Sequence, residues 1–129
     1  MVAIRYILIL ALPLITLACN TEKNKLQKTH ILFSNIIVQS MASDYNDPMC
    51  KKFSLDNKQA KTILNKSFII NARIMHDKYD YLPCYVKGTA SHNNKQCQWE
   101  IRAGGTIEVE CNGSNYILAC DDCDDLLRD

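Results

Sequence analysis

The spacing of apolar residues along this chain changes at Pro83. Before Pro83, apolar residues recur at helical spacing in segments 26–48 and 54–76, which is typical of helices with one core-facing side. After Pro83, apolar and polar residues alternate in short runs, as in strands with one buried face. Stretches 36–38 and 67–75 are dense in apolar, often β-branched residues, so a strand remains an alternative there. The pattern predicts two helices followed by four strands.

Local signals predict where the two helices end or begin. Pro48 ends the first helix, because proline disfavours helical backbone at the preceding residue, Asp47. Ser54 or Asp56 can cap the second helix, since either side chain accepts a free N–H of the first turn.

The last three predicted strands form a meander with a definite register. Turn signals at 104–105 ("GG") and 112–113 ("NG") separate these strands. A slip by one residue would expose the apolar face of the sheet. With a loop at 103–105, the facing pairs are Ile101 with Ile107, Trp99 with Val109, and Cys97 with Cys111. The register therefore predicts a disulfide between Cys97 and Cys111.

Two helices packed on a four-stranded antiparallel meander make an α+β fold. This layout resembles the cystatin-like or nuclear-transport-factor-like plan, which many small bacterial proteins share. The 111 residues that follow position 18 are enough for one small domain, and the resemblance does not by itself imply a function.

Composition narrows the class of protein. The chain has 129 residues, a formal net charge of +1 and seven cysteines. No basic field favours nucleic acid as a partner. With Cys19 set aside, the number of cysteines is even, which indicates a disulfide framework in an oxidising compartment. The candidates are Cys50, Cys84, Cys97, Cys111, Cys120 and Cys123.

Residues 1–18 have the features of a signal peptide. Arg5 precedes an apolar run at 6–17 that is too short to span a bilayer. The end of this run, "LITLAC", resembles the lipobox of bacterial lipoproteins, which implies that Cys19 is lipidated and anchors the protein to a membrane. Two alternatives stay open: cleavage after Ala18 that leaves a free thiol, and an uncleaved anchor.

Behind the signal peptide we expect a tether at 19–28 and one domain at 29–129. Asn20 after the lipidated cysteine implies a periplasm-facing place at the outer membrane, in bacteria that have one. The layout also resembles lipoprotein immunity proteins linked to contact-delivered toxins. The stretches that carry this resemblance are "ACN", "KQAKTIL", "YVKGT" and "AGG".

Enzyme motifs are not found in the sequence. His76, Asp77 and Cys84 could in principle form a nucleophile–base set. A polar helix end followed by an oxidised cysteine is the favoured interpretation, since the chain is exported. We therefore expect no enzyme activity, no metal and no cofactor.

The C-terminal stretch "CDDCDD" raises the question of a redox or metal site. Neighbouring aspartates repel a thiolate, whereas a redox cysteine needs the opposite environment. The spacing also lacks the regular acidic loop of calcium sites. We expect a short helix with Asp121 and Asp122 at its start, and with Cys120 and Cys123 stapling it to the body of the domain.

These features favour a small exported binding protein. We expect an immunity protein or inhibitor that neutralises a basic toxin or enzyme; the alternative is an envelope accessory lipoprotein without a single enzymatic target. The residues expected at the partner surface are Asp121, Asp122, Asp124, Asp125, Glu100, Arg102 and Glu108.

Overall fold

A computed structural model describes residues 27–128, so the predicted signal peptide, Cys19 and most of the predicted tether lie outside the described residues. The strands are β1 (Ser34–Ser43), β2 (Phe68–Ile70), β3 (Cys84–His92), β4 (Lys95–Arg102), β5 (Thr106–Cys111) and β6 (Ser114–Ala119). The helices are α1 (Asn57–Lys66), α2 (Ala72–Lys78) and α3 (Asp124–Leu127), with 3-10 turns at Asp44–Asn46 and Pro48–Lys52. The six strands form one antiparallel sheet in the order β1-β3-β4-β5-β6-β2.

The prediction of a helix over 26–48 is wrong. The middle of this segment, Ser34–Ser43, is the edge strand β1, which pairs with β3. The β-branched residues at 36–38 are stiff in a helix and pack well on a pleated surface. Pairing with β3 therefore stabilises the strand over the helix. The helical spacing was misleading because Ile37 and Met41 are not core residues; they are 51% and 56% exposed.

The prediction of one helix over 54–76 is also wrong. Helix α1 stops before Ser67, whose backbone is extended and whose hydroxyl donates to the Ile63 carbonyl at 2.6 Å. Phe68–Ile70 then pairs with β6, and Asn71 caps the separate helix α2. Six strands with three short α-helices therefore replace the expected two helices on a four-stranded meander.

The hairpin of β4 and β5 has the register that the alternation predicts. Cys97 lies opposite Cys111 and forms a disulfide with it, with the Cα atoms 4.1 Å apart. The N–H of Ala103 donates to the Cys84 carbonyl at 3.0 Å, so alternate residues of β4, Cys97 included, turn their backbone groups toward β3. Cys97 and Cys111 are thus a non-hydrogen-bonded pair, and such pairs lie closer together. This short separation allows the bridge.

The main core lies between one face of the sheet and α1. At its centre Trp99 is 2% exposed and donates its indole N–H to the Thr89 carbonyl at 2.8 Å. A Cβ at Gly88 would collide with the Trp99 ring and with the Ile37 carbonyl, so a glycine is required there for packing. Helix α2 covers part of the opposite face over a smaller cluster of Phe68, Ile70 and Ala119.

The six cysteines from Cys50 to Cys123 form three disulfides, which confirms the expected framework and indicates an oxidising compartment. Cys50 joins the second 3-10 turn to Cys84 at the start of β3. Cys120 and Cys123 bond to each other, so the expectation that they staple the C-terminal piece to the body is wrong. Among residues 27–128, no helix is long and apolar enough to cross a membrane.

Candidate functional site

The acidic C-terminal segment, residues 121–125, is only partly free to meet a partner. Asp121 accepts hydrogen bonds from the Tyr79 hydroxyl at 2.5 Å and from the Lys28 ammonium at 2.9 Å. The hydrogen bond from Tyr79, which has the larger effect, and the one from Lys28 hold the pKa of Asp121 below its usual range. Asp121 therefore ties three parts of the chain together, and its charge is already paired with Lys28 although 46% of its side chain is exposed.

The remaining aspartates of this segment are exposed: Asp122, Asp124 and Asp125. Helix α3 begins at Asp124, so Asp124 and Asp125 occupy its first turn, and not Asp121 and Asp122 as expected. Asp124 lies 3.7 Å from Arg128, but both side chains are solvated and such a pair contributes little. These three carboxylates remain available to an outside partner.

Arg102 is the centre of a polar cluster at the end of β4. Its guanidinium donates to Asp44 at 2.9 Å and to the Leu82 carbonyl at 3.1 Å. It also lies 2.9 Å from Glu100 Oε1, out of line for a hydrogen bond, so this contact is an ion pair. The Tyr81 ring covers the guanidinium at 4.4 Å, and only 13% of the Arg102 side chain is exposed.

The charges of this cluster satisfy one another. Hydrogen bonds from Arg102 and from the Tyr81 hydroxyl hold the pKa of Asp44 below its usual range. Burial opposes the charge of Arg102, but the Asp44 hydrogen bond and the Glu100 charge outweigh it and raise the arginine pKa. Arg102 and Glu100, both expected at a partner surface, are therefore held within the fold.

Glu108 is an exposed acidic residue of the sheet with which no side chain of residues 27–128 pairs. It lies directly opposite Glu100 on β5 and is exposed. Together with Glu110 it lines an open groove of about 430 Å³ on the outer face of the sheet. The Lys87 ammonium lies 3.9 Å from Glu100 and therefore offsets the negative charge on only one side of this groove. The groove therefore favours a cationic group of a partner.

The nucleophile–base set considered from the sequence lacks its nucleophile. Cys84 is bonded to Cys50 and has no thiol. The His76 side chain is 89% exposed and meets Asp77 at 3.3 Å. Within the part of the chain that the structure describes, no three His, Cys, Asp or Glu side chains come together as a metal site.

Three residues that organise these surfaces were missed from the sequence: Asp44, Tyr79 and Tyr81. Asp44 is 58 residues from Arg102 along the chain, and Tyr79 is 42 residues from Asp121. All three lie in a turn or a loop, where no periodic pattern marks them. The three tyrosines in the stretch 79–85 were the one available signal.

No family model, no curated protein and no solved structure matches the chain. The function is therefore inferred from the geometry.

Proposed function

We propose that this protein is a lipid-anchored binding protein of the bacterial envelope, an immunity protein or inhibitor that neutralises a basic toxin or enzyme by stoichiometric contact. The observation that carries the proposal is the division of its carboxylates. Asp44, Glu100 and Asp121 are consumed by internal pairs. Two clusters of neighbouring exposed carboxylates lie outside these pairs: Asp122, Asp124 and Asp125 at the C-terminal segment, and Glu108 with Glu110 on the sheet, where Glu110 also accepts the Gly113 N–H at 3.1 Å.

Local clusters of negative charge on a disulfide-stapled domain suit recognition of a basic protein. Such charges mainly raise the rate of association, because they steer the partner before contact. Three disulfides keep the surface from rearranging, which lowers the cost of ordering it on binding. A lipid tether at Cys19 would hold this surface where an incoming toxin enters the envelope.

Charge reversal tests the proposal with two matched variants. The first changes Asp124→Lys and Asp125→Lys, and the second changes Glu108→Lys and Glu110→Lys, so both alter the net charge equally. Asp121 is left unchanged, because its substitution would break the contacts with Tyr79 and Lys28. Glu110→Lys removes the acceptor of the Gly113 N–H, so the melting temperature of this variant is compared with that of the wild type. The probe is the purified product of the gene directly upstream, and the readout is the association rate at low and high salt.

We expect one variant to slow association at low salt much more than the other, with the difference fading as salt screens the charges. Equal effects would mean that net charge alone matters and would leave no specific surface. No binding of the upstream product, or no effect of either variant, would contradict the immunity role and favour the accessory lipoprotein.

Lipid anchoring has a separate test. The intact mass of membrane-extracted protein should correspond to a chain that starts at Cys19 and carries a diacylglyceryl group. A water-soluble, unmodified chain that begins at or beyond Cys19 would reject the anchor.

A further inference from the structure

We propose that the outer edge of β1 at Met41–Ser43 is a strand-addition site that takes an extended segment of a protein partner. The proposal deepens the proposed function, since it names how the partner is held. It rests on the backbone of β1 and on the groove beside it, and it uses none of the free carboxylates.

The hydrogen-bond pattern identifies which backbone groups point outward. Strand β1 is at the edge of the sheet, with β3 as its single neighbour in the described chain. Asp44 donates its N–H to the Pro83 carbonyl at 2.9 Å, and alternate residues of an antiparallel strand face the same neighbour. The backbone N–H and C=O of Ala42 therefore also point toward β3. The N–H and C=O of Met41 and the N–H of Ser43 face away from the sheet.

The rest of β1 is protected against pairing, and the protection stops before Met41. The outward N–H of Val38 is closed by the side chain of Asn57, which accepts it at 2.7 Å. The register shifts between Val38 and Ser40, and such a bulge bends an edge strand away from pairing. From Ser40 to Ser43 the register is regular, and β1 has no charged residue to block an incoming strand.

A groove of about 470 Å³ runs beside this open stretch, between β1 and the second 3-10 turn. Met41, which is 56% exposed, and Phe53 give it apolar walls. Its lining carries one cation, Lys51, and one acid, Asp47, whose carboxylate already accepts the Met49 N–H at 3.0 Å. The disulfide of Cys50 with Cys84 fixes the turn to β3, so the groove is formed before a partner arrives.

An extended polypeptide is the occupant that matches these groups. Outward backbone groups at Met41 and Ser43, two residues apart, match the main chain of a strand, as in other strand-addition sites. The alternate side chains of that strand would be apolar against Met41 and Phe53, and an acidic residue would reach Lys51. The partner therefore contributes a short apolar segment with one carboxylate.

A second copy of this chain fits less well. Two such edges could pair over only the open stretch Met41–Ser43, since Asn57 closes the position before the bulge. Lys51 would also find no carboxylate in the copy's own β1, which is uncharged.

A displayed library of random linear peptides, selected on the disulfide-intact protein, tests the proposal. We expect an enriched pattern of alternating apolar residues with one Asp or Glu. The change Met41→Lys puts a charge on the edge and should weaken the selected peptides about tenfold or more. Leu32→Lys is the matched control, since Leu32 is 80% exposed, lies outside the groove and should leave binding unchanged.

Amide exchange gives a second readout on the same complexes. A bound peptide should slow exchange of the Met41 and Ser43 amides, while the Ala42 amide, already bonded within the sheet, should change little. No enriched pattern, equal binding by the Met41→Lys variant, or protection elsewhere would overturn the proposal. Self-association that Met41→Lys abolishes would assign the edge to a second copy instead. Peptide binding without any effect of the carboxylate variants would reject the acidic surface and leave the edge site standing.

Discussion

Two of the disulfides allow a direct test of how cross-links stabilise this domain. The variants replace a bonded pair with alanine, Cys97→Ala with Cys111→Ala in one and Cys120→Ala with Cys123→Ala in the other. All four cysteines are at most 5% exposed, so the packing lost on truncation is similar in both variants. The two changes then differ mainly in the size of the loop that each bond closes.

The expected magnitudes follow from the sequence separations, which are 14 for Cys97–Cys111 and 3 for Cys120–Cys123. In the chain-entropy model, closing the larger loop stabilises the fold by about 3 kcal/mol and closing the smaller one by about 2 kcal/mol. The hairpin variant should therefore lose about 1 kcal/mol more of its free energy of unfolding than the C-terminal variant.

Urea denaturation of the wild type and both variants measures this difference. The slope of unfolding free energy against urea should rise more in the hairpin variant, because its unfolded chain opens further. If the C-terminal variant lost as much stability as the hairpin variant, loop closure would not be the main effect. The Cys120–Cys123 bond would then stabilise the native packing of α3 directly.

Three further predictions concern single residues. Gly88→Ala should destabilise the domain by about 1–3 kcal/mol, because the new Cβ meets the Trp99 ring and the Ile37 carbonyl. Thermal unfolding would measure the loss, and an unchanged midpoint would contradict the packing argument. Asp56→Ala should cost about 1 kcal/mol by removing the capping box with Gln59; urea denaturation checks this, and Asp56→Asn should restore most of the loss. The pKa of Asp121 is lowered, so its contribution to stability is present above its ordinary value of 3.8 and is lost as the pH falls through the folded value. Asp121→Asn should therefore be less stable than the wild type at neutral pH, the two should converge in acid, and a constant difference would refute the role of the charge.

The strands after Pro83 were predictable because each pairs with a neighbour in sequence. Alternation identified their buried faces, and Asn112–Gly113 marked a tight turn in which both residues have positive φ, of 50° and 89°. The start of α1 was predictable for a similar reason, since Asp56 and Gln59 form a capping box four residues long. Local interactions determine these features, so a local pattern can identify them.

Strands β1 and β2 were not predictable in this way. Residues 36–38 and 68–70 are short apolar runs that fit a helix or a strand equally well. Their partners decide: Val38 pairs with Gly88, and Phe68 pairs with Ala119, both across about fifty residues of chain. Neither run contains a signal that identifies the distant strand with which it pairs.

The site was harder to predict than the fold, because charge alone does not reveal whether a group is paired. Asp121 and Asp122 are adjacent and chemically alike, yet Tyr79 and Lys28 engage only the Asp121 carboxylate. Arg102 looked like a surface charge on an outer strand face, but Asp44 and Tyr81 enclose it. The partners that decide in each case come from irregular segments far along the chain.

Steering and docking by different groups would leave different kinetic signatures. Free carboxylates act across about 8–10 Å of solution at physiological salt, so their loss lowers the association rate and the effect fades with salt. Strand addition acts only on contact, so blocking it with Met41→Lys raises the dissociation rate at every salt concentration. With a protein partner, the variant of Glu108 and Glu110 and the variant of Met41 should therefore separate into these two classes. If both changed the same rate constant with the same salt dependence, the edge of β1 and the acidic face would belong to one contact surface, and steering would not be a distinct step.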